Sequence, residues 1–504
     1  MKPETLSLAG RGEERPPSVR VLMGALMLVM LLSALDQTIV STALPTIVGE
    51  LGGLDRLSWI VTAYMLASTI VVPLYGKFGD LFGRKTVLQI SVVLFLIGSA
   101  LCGLAQNMEQ LIFTRALQGL GGGGLMVVSM AAVADVIPPA NRGKYQGLFG
   151  GVFGLATVVG PLLGGFIVQH ASWRWIFYIN LPLGLFALLI INAVFKANTK
   201  RKPHEIDYPG AVCLSLALVG ITLFTSEGGT LRAWSDPILW CILAFGLVGV
   251  IGFIYEERRA WEPIIPLSLF RNRSFSLSSL MAFIVGMSLF GSVTFLPLYL
   301  QVVKGSTPTE AGLQLLPLMG GLLVTSIVSG RIISRTGRYR LFPIAGTLLA
   351  TIGMALMTTL TLQSSLWQIY LYACVLGMGM GMVMQVLVLA VQSSVTSDSI
   401  GVATSSVTLF RSVGGSIGVA LFGAMFSHVL KSGLTKLVEK GDALPATLDP
   451  NAVHQLPHDV QQAYLQVFSE AVHSAFQMAA VVMAVAFALS LFLPESPMRS
   501  KAKQ

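Results

Sequence analysis

Long apolar runs recur along nearly the whole of this 504-residue chain. A helix needs about 20 apolar residues to cross the hydrocarbon core of a bilayer. By that criterion the sequence predicts fourteen membrane spans, over residues 21–44, 57–76, 87–106, 111–136, 146–169, 175–196, 208–226, 237–255, 275–301, 310–334, 341–362, 366–391, 402–427 and 473–494. With 54% hydrophobic and only 11% charged residues, the composition excludes a soluble protein of this size. We therefore predict an all-α membrane protein.

The basic residues predict how this protein is oriented. Connections rich in Lys and Arg stay in the cytoplasm, and alternate connections of this chain are basic, for example around Arg84, Arg142 and Arg338. Both tails, residues 1–20 and 495–504, then lie in the cytoplasm, as an even number of spans requires. The location expected is a bacterial cytoplasmic membrane. The basic residues behind the net charge of +9 cluster in short loops beside the apolar runs. We therefore do not predict nucleic-acid binding.

An internal repeat predicts two related halves. The stretch from Gly76 to Lys85 and the stretch from Gly330 to Arg340 both begin with Gly and contain a Gly-Arg pair in a short basic loop. Duplicated helical bundles are typical of secondary transporters, which bind substrate between the halves. We predict two six-helix bundles, over 21–196 and 275–494, with two extra spans in a linker over 197–274.

One long connection, over residues 428–472, is predicted outside the membrane. It has mixed charge, three prolines and short amphipathic pieces. A folded cap and a mobile tether both fit this composition, and we favour a tether or a loosely helical lid.

Asp36 is a carboxylate within the first apolar run. An ionisable residue at this depth costs roughly 2.5–3.5 kcal/mol on insertion scales and usually marks an ion or substrate path. We therefore predict that Asp36 binds the coupling proton. Glu310, at the start of the tenth span, is a second proton candidate, although an ordinary helix-end acid would have the same sequence position.

The loop after the second span combines acidic, basic and glycine residues in a way that topology alone does not require. We predict that it forms a charge network that controls conformational switching, with Asp135 as the partner of Arg84. The gating candidates are Gly76, Asp80, Gly83, Arg84, Lys85 and Asp135.

Arg115, in the fourth span, stays charged at any relevant pH. It either approaches Asp36 and assists proton transfer or extends its guanidinium to the membrane surface. Other side chains within the spans are candidates for lining the substrate cavity: Gln37, Gln118, Met384 and Gln385.

Pro161 interrupts the backbone hydrogen bonds of the fifth span, and the glycines around it permit tight packing. A static kink and a functional hinge are both consistent with this pattern. The hinge candidates are Gly160, Pro161, Gly164 and Gly165.

These segments resemble the fourteen-span drug:proton antiporter family of the major facilitator superfamily. The first loop resembles G-x-L-x-D-x-x-G-R-K, the fourth span R-x-x-Q-G, the fifth G-x-x-x-G-P-x-x-G-G, and the first L-D-x-T-I-V-N-V-A-L-P. The chain departs from these patterns at four positions: Ser41, Thr42, Phe78 and Ala156. The resemblance implies that Asp80, Arg84 and Lys85 govern switching, that Arg115 assists proton transfer, and that Gly160 and Pro161 accompany antiport direction.

The function predicted is proton-coupled export of lipophilic, often cationic, drugs or toxic compounds, which would confer antibiotic resistance. A dedicated exporter of a lipid, siderophore or metabolite is the alternative. We predict no catalytic site, no metal site and no cofactor, because the loops offer no catalytic cluster and the six histidines form no ligand set. The expected partners are protons, the substrate and membrane lipids, with a periplasmic adaptor as a further candidate. A monomer is expected.

Overall fold

The computed structural model describes residues 19–52, 56–195, 207–229, 232–439 and 457–495. These residues form α-helices joined by short connections. In chain order the helices are α1 Val19–Leu51, α2 Leu57–Phe82, α3 Arg84–Leu104, α4 Met108–Val136, α5 Pro139–His170, α6 Trp175–Tyr178, α7 Asn180–Val194, α8 Tyr208–Glu227, α9 Pro237–Glu257, α10 Arg273–Val302, α11 Pro308–Gln314, α12 Leu316–Thr336, α13 Leu341–Met357, α14 Leu366–Ser394, α15 Ile400–Glu439 and α16 His458–Ser490.

Within the described residues, thirteen helical segments are long and apolar enough to cross a membrane, and α13 is a shorter apolar helix. Each coincides with one of the fourteen predicted spans. Lipid leaves backbone groups no water to bond, so a spanning chain must satisfy them within helices or closed barrels. The prediction of an all-α membrane fold is confirmed.

The helices pack as two groups. Helices α1 to α7 form one half and α10 to α16 the other, each with buried cores of its own, while α5 packs on α12 and α2 on α15 across the junction. Helices α8 and α9 pair with each other, because Gly220 and Gly246 let their backbones meet. Helix α8 also contacts α2 and α15. The extra pair therefore lies beside the junction of the two halves.

The expected loop over residues 428–472 is wrong in its described part. Helix α15 continues to Glu439 and α16 begins at His458, while residues 440–456 lie outside the described residues. Phe426 packs on Phe468 with ring centroids 5.4 Å apart, and Gly433 lies against Val467. Two membrane helices therefore extend as a packed pair, neither a tether nor a loose lid.

Two predicted spans are interrupted. The span over 175–196 consists of α6 and α7, which meet at Ile179. The span over 310–334 consists of α11 and α12, which meet at Leu315. Pro317 lies in the first turn of α12, where its missing N–H costs no helical hydrogen bond. Hydropathy alone does not detect such breaks.

Candidate functional site

Asp36 is the centre of a polar cluster inside the first half of the molecule. Arg115 Nη1 lies 2.7 Å from Asp36 Oδ2. Gln118 Nε2 donates to Asp36 Oδ1 at 2.8 Å, and Asn180 Nδ2 donates to the same oxygen at 3.2 Å. All four side chains are at most 1% exposed. The buried carboxylate is therefore fully compensated by one cation and two amides.

The arginine of this cluster is held on several sides. Arg115 Nε donates to Ile60 O at 3.2 Å, and Nη1 donates to Gln118 Oε1 at 2.7 Å. Its guanidinium lies 4.2 Å from the centre of the Tyr64 ring, a favourable cation–π arrangement. A side chain at Gly119 would collide with Tyr64 O, so the glycine run of α4 lets α2 approach. Arg115 thus does not extend to the membrane surface.

Sequence analysis missed Asn180 and assigned Gln118 to the substrate cavity. Gln118 follows Arg115 by three residues and lies on the same face of α4. Asn180 begins α7, directly after the break at Ile179. An isolated amide in an apolar run is the signal that could have identified Asn180, just as an isolated carboxylate identified Asp36.

The glycine and proline segment of α5 packs against α1 close to Asp36. A Cβ atom at Gly160 would lie 2.0 Å from Thr38 Oγ1, and one at Gly164 would lie 2.2 Å from Thr42 Oγ1. Pro161 lies inside α5, whereas Gly165 has open space beside it. The small residues therefore let α5 contact the turn that follows the buried carboxylate.

A second charge cluster lies where α2, α4 and α15 meet. Arg84 Nη2 lies 2.9 Å from Asp80 Oδ1, and Arg84 Nη1 lies 2.6 Å from Asp135 Oδ1. Asp80 also accepts hydrogen bonds from the backbone N–H groups of Gly401 and Val402, both at 2.9 Å. These groups begin α15, where the helix dipole favours a negative charge. Asp80 therefore ties the first half to the second.

Glycines bring the halves together at this end, which we call the basic end. A Cβ atom at Gly76 would lie 2.2 Å from Ser405 Oγ, and one at Gly330 would lie 2.3 Å from Gly143 O. Gly83 has a φ of 88°, which favours glycine at this turn. Lys85 instead donates to Asn192 O at 2.9 Å, within the first half.

Side-chain amides add further bonds between the halves at the basic end. Gln146 Nε2 donates to Gln392 Oε1 at 3.2 Å, and Gln392 Nε2 donates to Met130 O at 3.3 Å. Ser326 Oγ donates to Gly147 O at 3.1 Å. Sequence analysis named none of these residues. The described structure is therefore closed at its basic end.

Away from the basic end, a cavity of ≈ 490 Å³ lies between α2, α8, α10 and α15. A smaller cavity of ≈ 70 Å³ adjoins it and reaches deeper between the halves. The two share four lining residues: Met65, Thr69, Phe290 and Ser412. Together they form a continuous recess between the halves.

The remaining candidate residues are dispersed. Gln37 and Met384 line the smaller cavity. Gln385 is buried and lines neither cavity described here. Glu310 is exposed and accepts a hydrogen bond from Thr307 N at 2.8 Å in a capping box. That geometry assigns Glu310 to the start of α11, apart from the Asp36 cluster. The described residues contain no cluster of acidic, His and Cys side chains suited to a metal.

Two helical bundles with a buried charge pair and a recess between them define a membrane transporter. A family model described as the Major Facilitator Superfamily matches residues 26–419. The chain belongs to the major facilitator superfamily and is a multi-pass membrane protein.

Two bacterial proteins are similar to this chain over nearly its whole length. The chain is 41% identical over 484 residues to the uncharacterized MFS-type transporter Rv1877 of Mycobacterium tuberculosis strain H37Rv, covering 96% of this chain and 70% of the relative. It is 36% identical over 509 residues to the multidrug transporter protein MdtP of Bacillus subtilis strain 168, covering 95% and 94% of the two chains.

A solved structure with the same architecture is the human organic anion transporter MFSD10. It matches with a TM-score of 0.64 over 94% of this chain and 100% of that chain, at 15% identity. At this identity the likeness shows the fold alone.

Proposed function

We propose that this protein is a proton-coupled secondary active exporter that works by alternating access. The observation that carries the proposal is the fully buried ion pair between Asp36 and Arg115. A charge pair inside a membrane helix bundle is costly and is retained mainly for ion or substrate pathways. The similarity to MdtP, which is named a multidrug transporter, supports export of lipophilic compounds.

Proton binding acts on this pair. A proton taken up on a carboxylate oxygen of Asp36 neutralises the charge that holds Arg115. The guanidinium keeps its bonds to Ile60 O and Gln118, while α1 loses its strongest tie to α4. Because Gly160 and Gly164 pack directly on α1, the change in α1 is passed to α5 and so to the packing of the halves.

The basic end supplies the gate. In this proposal it faces the cytoplasm, as do both termini, and the described structure has the cytoplasmic side closed. Opening this side requires Asp80 to leave the N-terminus of α15, where it accepts two backbone hydrogen bonds. Hydrogen bonds to charged groups contribute about 1.5–3 kcal/mol each. Asp80 and Arg84 therefore set much of the balance between the two conformations.

The substrates proposed are lipophilic drugs or toxic compounds, with a lipid, siderophore or metabolite as the second candidate. The expectation of a mainly cationic substrate is not supported by a carboxylate, because none of the described residues that line the two cavities is acidic. The proposed location is a bacterial cytoplasmic membrane. The proposed partners are protons and lipids, with a periplasmic adaptor as a further candidate. We propose a monomer that needs no cofactor and catalyses no reaction.

The test is transport by proteoliposomes with an imposed pH gradient. Two dyes are compared: ethidium, a permanent cation that a pH gradient does not trap, and pyrenebutyrate, a weak acid whose passive redistribution is subtracted with protein-free liposomes. We expect gradient-driven movement of at least one dye, lost by tenfold or more in Asp36→Asn. The matched control is Glu50→Gln. Glu50 is on the same helix, and hydrogen bonds from Arg174 and Trp173 lower its pKa, so it stays ionised and carries no proton.

Gradient-driven transport that persists in Asp36→Asn would contradict proton coupling at this residue. If neither dye moves with the wild-type protein, a dedicated substrate is favoured over multidrug export.

A further inference from the structure

Arg411 is a buried cation for which the described residues supply no counter-ion. It is 5% exposed, in the first third of α15. Its Nη1 is buried and has no hydrogen-bond partner, and among the described residues none of the ion pairs includes it. An arginine does not lose its charge in proteins. A buried, uncompensated charge costs several kcal/mol, so this residue needs a partner that comes from elsewhere.

The position of Arg411 is central in the membrane. It is the twelfth residue of α15, so a rise of 1.5 Å per residue places it about 17 Å from the start of the helix. The hydrocarbon core is about 30 Å thick. The guanidinium therefore cannot reach either surface by extending its side chain along the helix.

The side chain lines the smaller cavity, at the deep end of the continuous recess. Polar residues line the same cavity, including Gln37, Thr408 and Ser412. Among the described residues that line the two cavities, Arg411 is the sole charged one. The recess therefore attracts an anion and offers no counter-charge to a cation.

The larger cavity adjoins this charge. Its lining combines Met65, Phe290 and Phe295 with small hydroxyl side chains and glycines, which suits an apolar ring system. A molecule with its apolar body in the larger cavity and an acidic group in the smaller one would satisfy both regions at once. A carboxylate, sulfonate or phosphate matches the planar fork of a guanidinium.

We propose that Arg411 binds the anionic group of an amphiphilic substrate whose apolar body occupies the cavity between α2, α8, α10 and α15. This assignment rests on the proposed export function and names the substrate class within it. Arg115 is unsuited to the same role, since Asp36 already occupies its guanidinium. The second half of the molecule thus recognises the charge of the substrate, and the first half carries the proton.

The test is equilibrium binding to the full-length protein in phosphatidylcholine nanodiscs. The probes share one ring system and differ in charge: pyrenebutyrate, its methyl ester, and pyrenebutyl-trimethylammonium. Fluorescence anisotropy is measured with empty nanodiscs subtracted. We expect wild type to bind the carboxylate at least tenfold more tightly than the ester, a difference of about 1.4 kcal/mol, and to bind the cation most weakly.

Two variants of Arg411 separate charge recognition from folding. Arg411→Gln should lose the preference for the carboxylate while it binds the ester as wild type does. Arg411→Lys should retain part of the preference. The matched control is Arg174→Gln, which removes a positive charge outside both cavities and should leave the preference unchanged. A preference that survives in Arg411→Gln, or that is absent in wild type, would overturn the proposal.

An acidic phospholipid carries the same chemistry as an exported anion. Phosphatidylglycerol added to the nanodiscs therefore serves as a competitor, with phosphatidylcholine as its control. Retained pyrenebutyrate binding supports an exported substrate, whereas displacement by phosphatidylglycerol alone would assign the site to a lipid headgroup and overturn the substrate assignment.

This measurement needs no gradient, so it is independent of proton coupling. Asp36→Asn should keep the carboxylate preference even though it loses gradient-driven transport. Loss of proton coupling and loss of anion binding are thus separate results.

Discussion

Each half of this transporter buries an arginine within the membrane, but the two charges are handled differently. Arg115 in the first half contacts Asp36, Gln118 and the face of Tyr64. Arg411 in the second half lines a cavity, and its buried Nη1 has no partner in the described part of the chain. A paired charge responds to a proton, because protonation removes its partner. An unpaired charge responds to an anionic ligand, because the ligand supplies the partner.

The largest expected effect is the difference in stability between variants that lack one or the other of these two arginines. Arg115→Met leaves Asp36 buried without its cation, and breaking a buried pair in this way costs about 3–5 kcal/mol. Arg411→Met removes an uncompensated charge, so stability should stay unchanged or increase. Thermal unfolding in detergent, followed by size-exclusion chromatography with fluorescence detection, measures both. The double variant Asp36→Asn with Arg115→Met should recover much of the loss. Equal losses of stability in the two single arginine variants would contradict the distinction between a paired and an unpaired arginine.

A second prediction concerns the ion pair between Asp80 and Arg84 at the basic end. Arg84 is also a buried arginine of the first half, and it has carboxylate partners. Asp80→Asn removes the charge that accepts from Arg84 and from the start of α15. Losing charged hydrogen bonds worth about 1.5–3 kcal/mol each should open the basic end. Labelling of a cysteine introduced as Ser405→Cys in a cysteine-free background should then become about tenfold faster.

The matched control for this gate is Asp398→Asn. Asp398 is an exposed acid beside the same helix start and contacts only Ser397 by a 3.3 Å hydrogen bond among those described. It should leave the labelling rate unchanged. Equal labelling in all three proteins would mean that Asp80 does not hold the basic end closed.

A third prediction concerns a variant in which Arg411 has a carboxylate partner, as Arg115 already has. Thr408 lines the smaller cavity one turn before Arg411, and residues three apart on a helix face each other. Thr408→Asp gives the arginine a permanent partner. We expect a modest rise in thermal stability and loss of pyrenebutyrate preference. Thr408→Asn, which has the same size without the charge, should keep most of that preference. If the aspartate variant still prefers the carboxylate, the unpaired charge is not what binds it.

The smallest effect is expected at Glu310, which caps α11 and lies apart from both arginines. Glu310→Gln should slightly lower thermal stability, because the capping box loses its carboxylate. Gradient-driven dye transport should be unchanged. A transport defect comparable to that of Asp36→Asn would show that a second carboxylate carries the proton.

Much of the fold could be predicted from the sequence because lipid demands long apolar helices. The extension of α15 and α16 could not be predicted by hydropathy. Tyr464 and Phe468 form a buried stripe four residues apart among polar neighbours such as Gln462 and Gln466, and such a helix is amphipathic rather than apolar. The breaks at Ile179 and Leu315 depend on local geometry that an average over a whole span conceals.

The candidate site was predicted in part. Asp36 was selected because it is a charge in an apolar run, and Arg411 meets the same criterion, yet sequence analysis passed over it. Gln118 was predicted to line the substrate cavity, and its bond to Asp36 was not anticipated, because a linear sequence does not show which polar side chains turn toward a carboxylate 82 residues away. The inter-half contacts of Gln146 and Gln392 depend on the packing of two bundles and have no local signal.

The central claim is that Asp36 takes up a proton and thereby releases its pair with Arg115. Infrared difference spectroscopy of the reconstituted protein between alkaline and acidic buffer measures this directly, through the carbonyl stretching band of a protonated carboxyl group. We predict that this carbonyl band is present in wild type and in Glu50→Gln and missing in Asp36→Asn. Identical difference spectra for wild type and Asp36→Asn would contradict it.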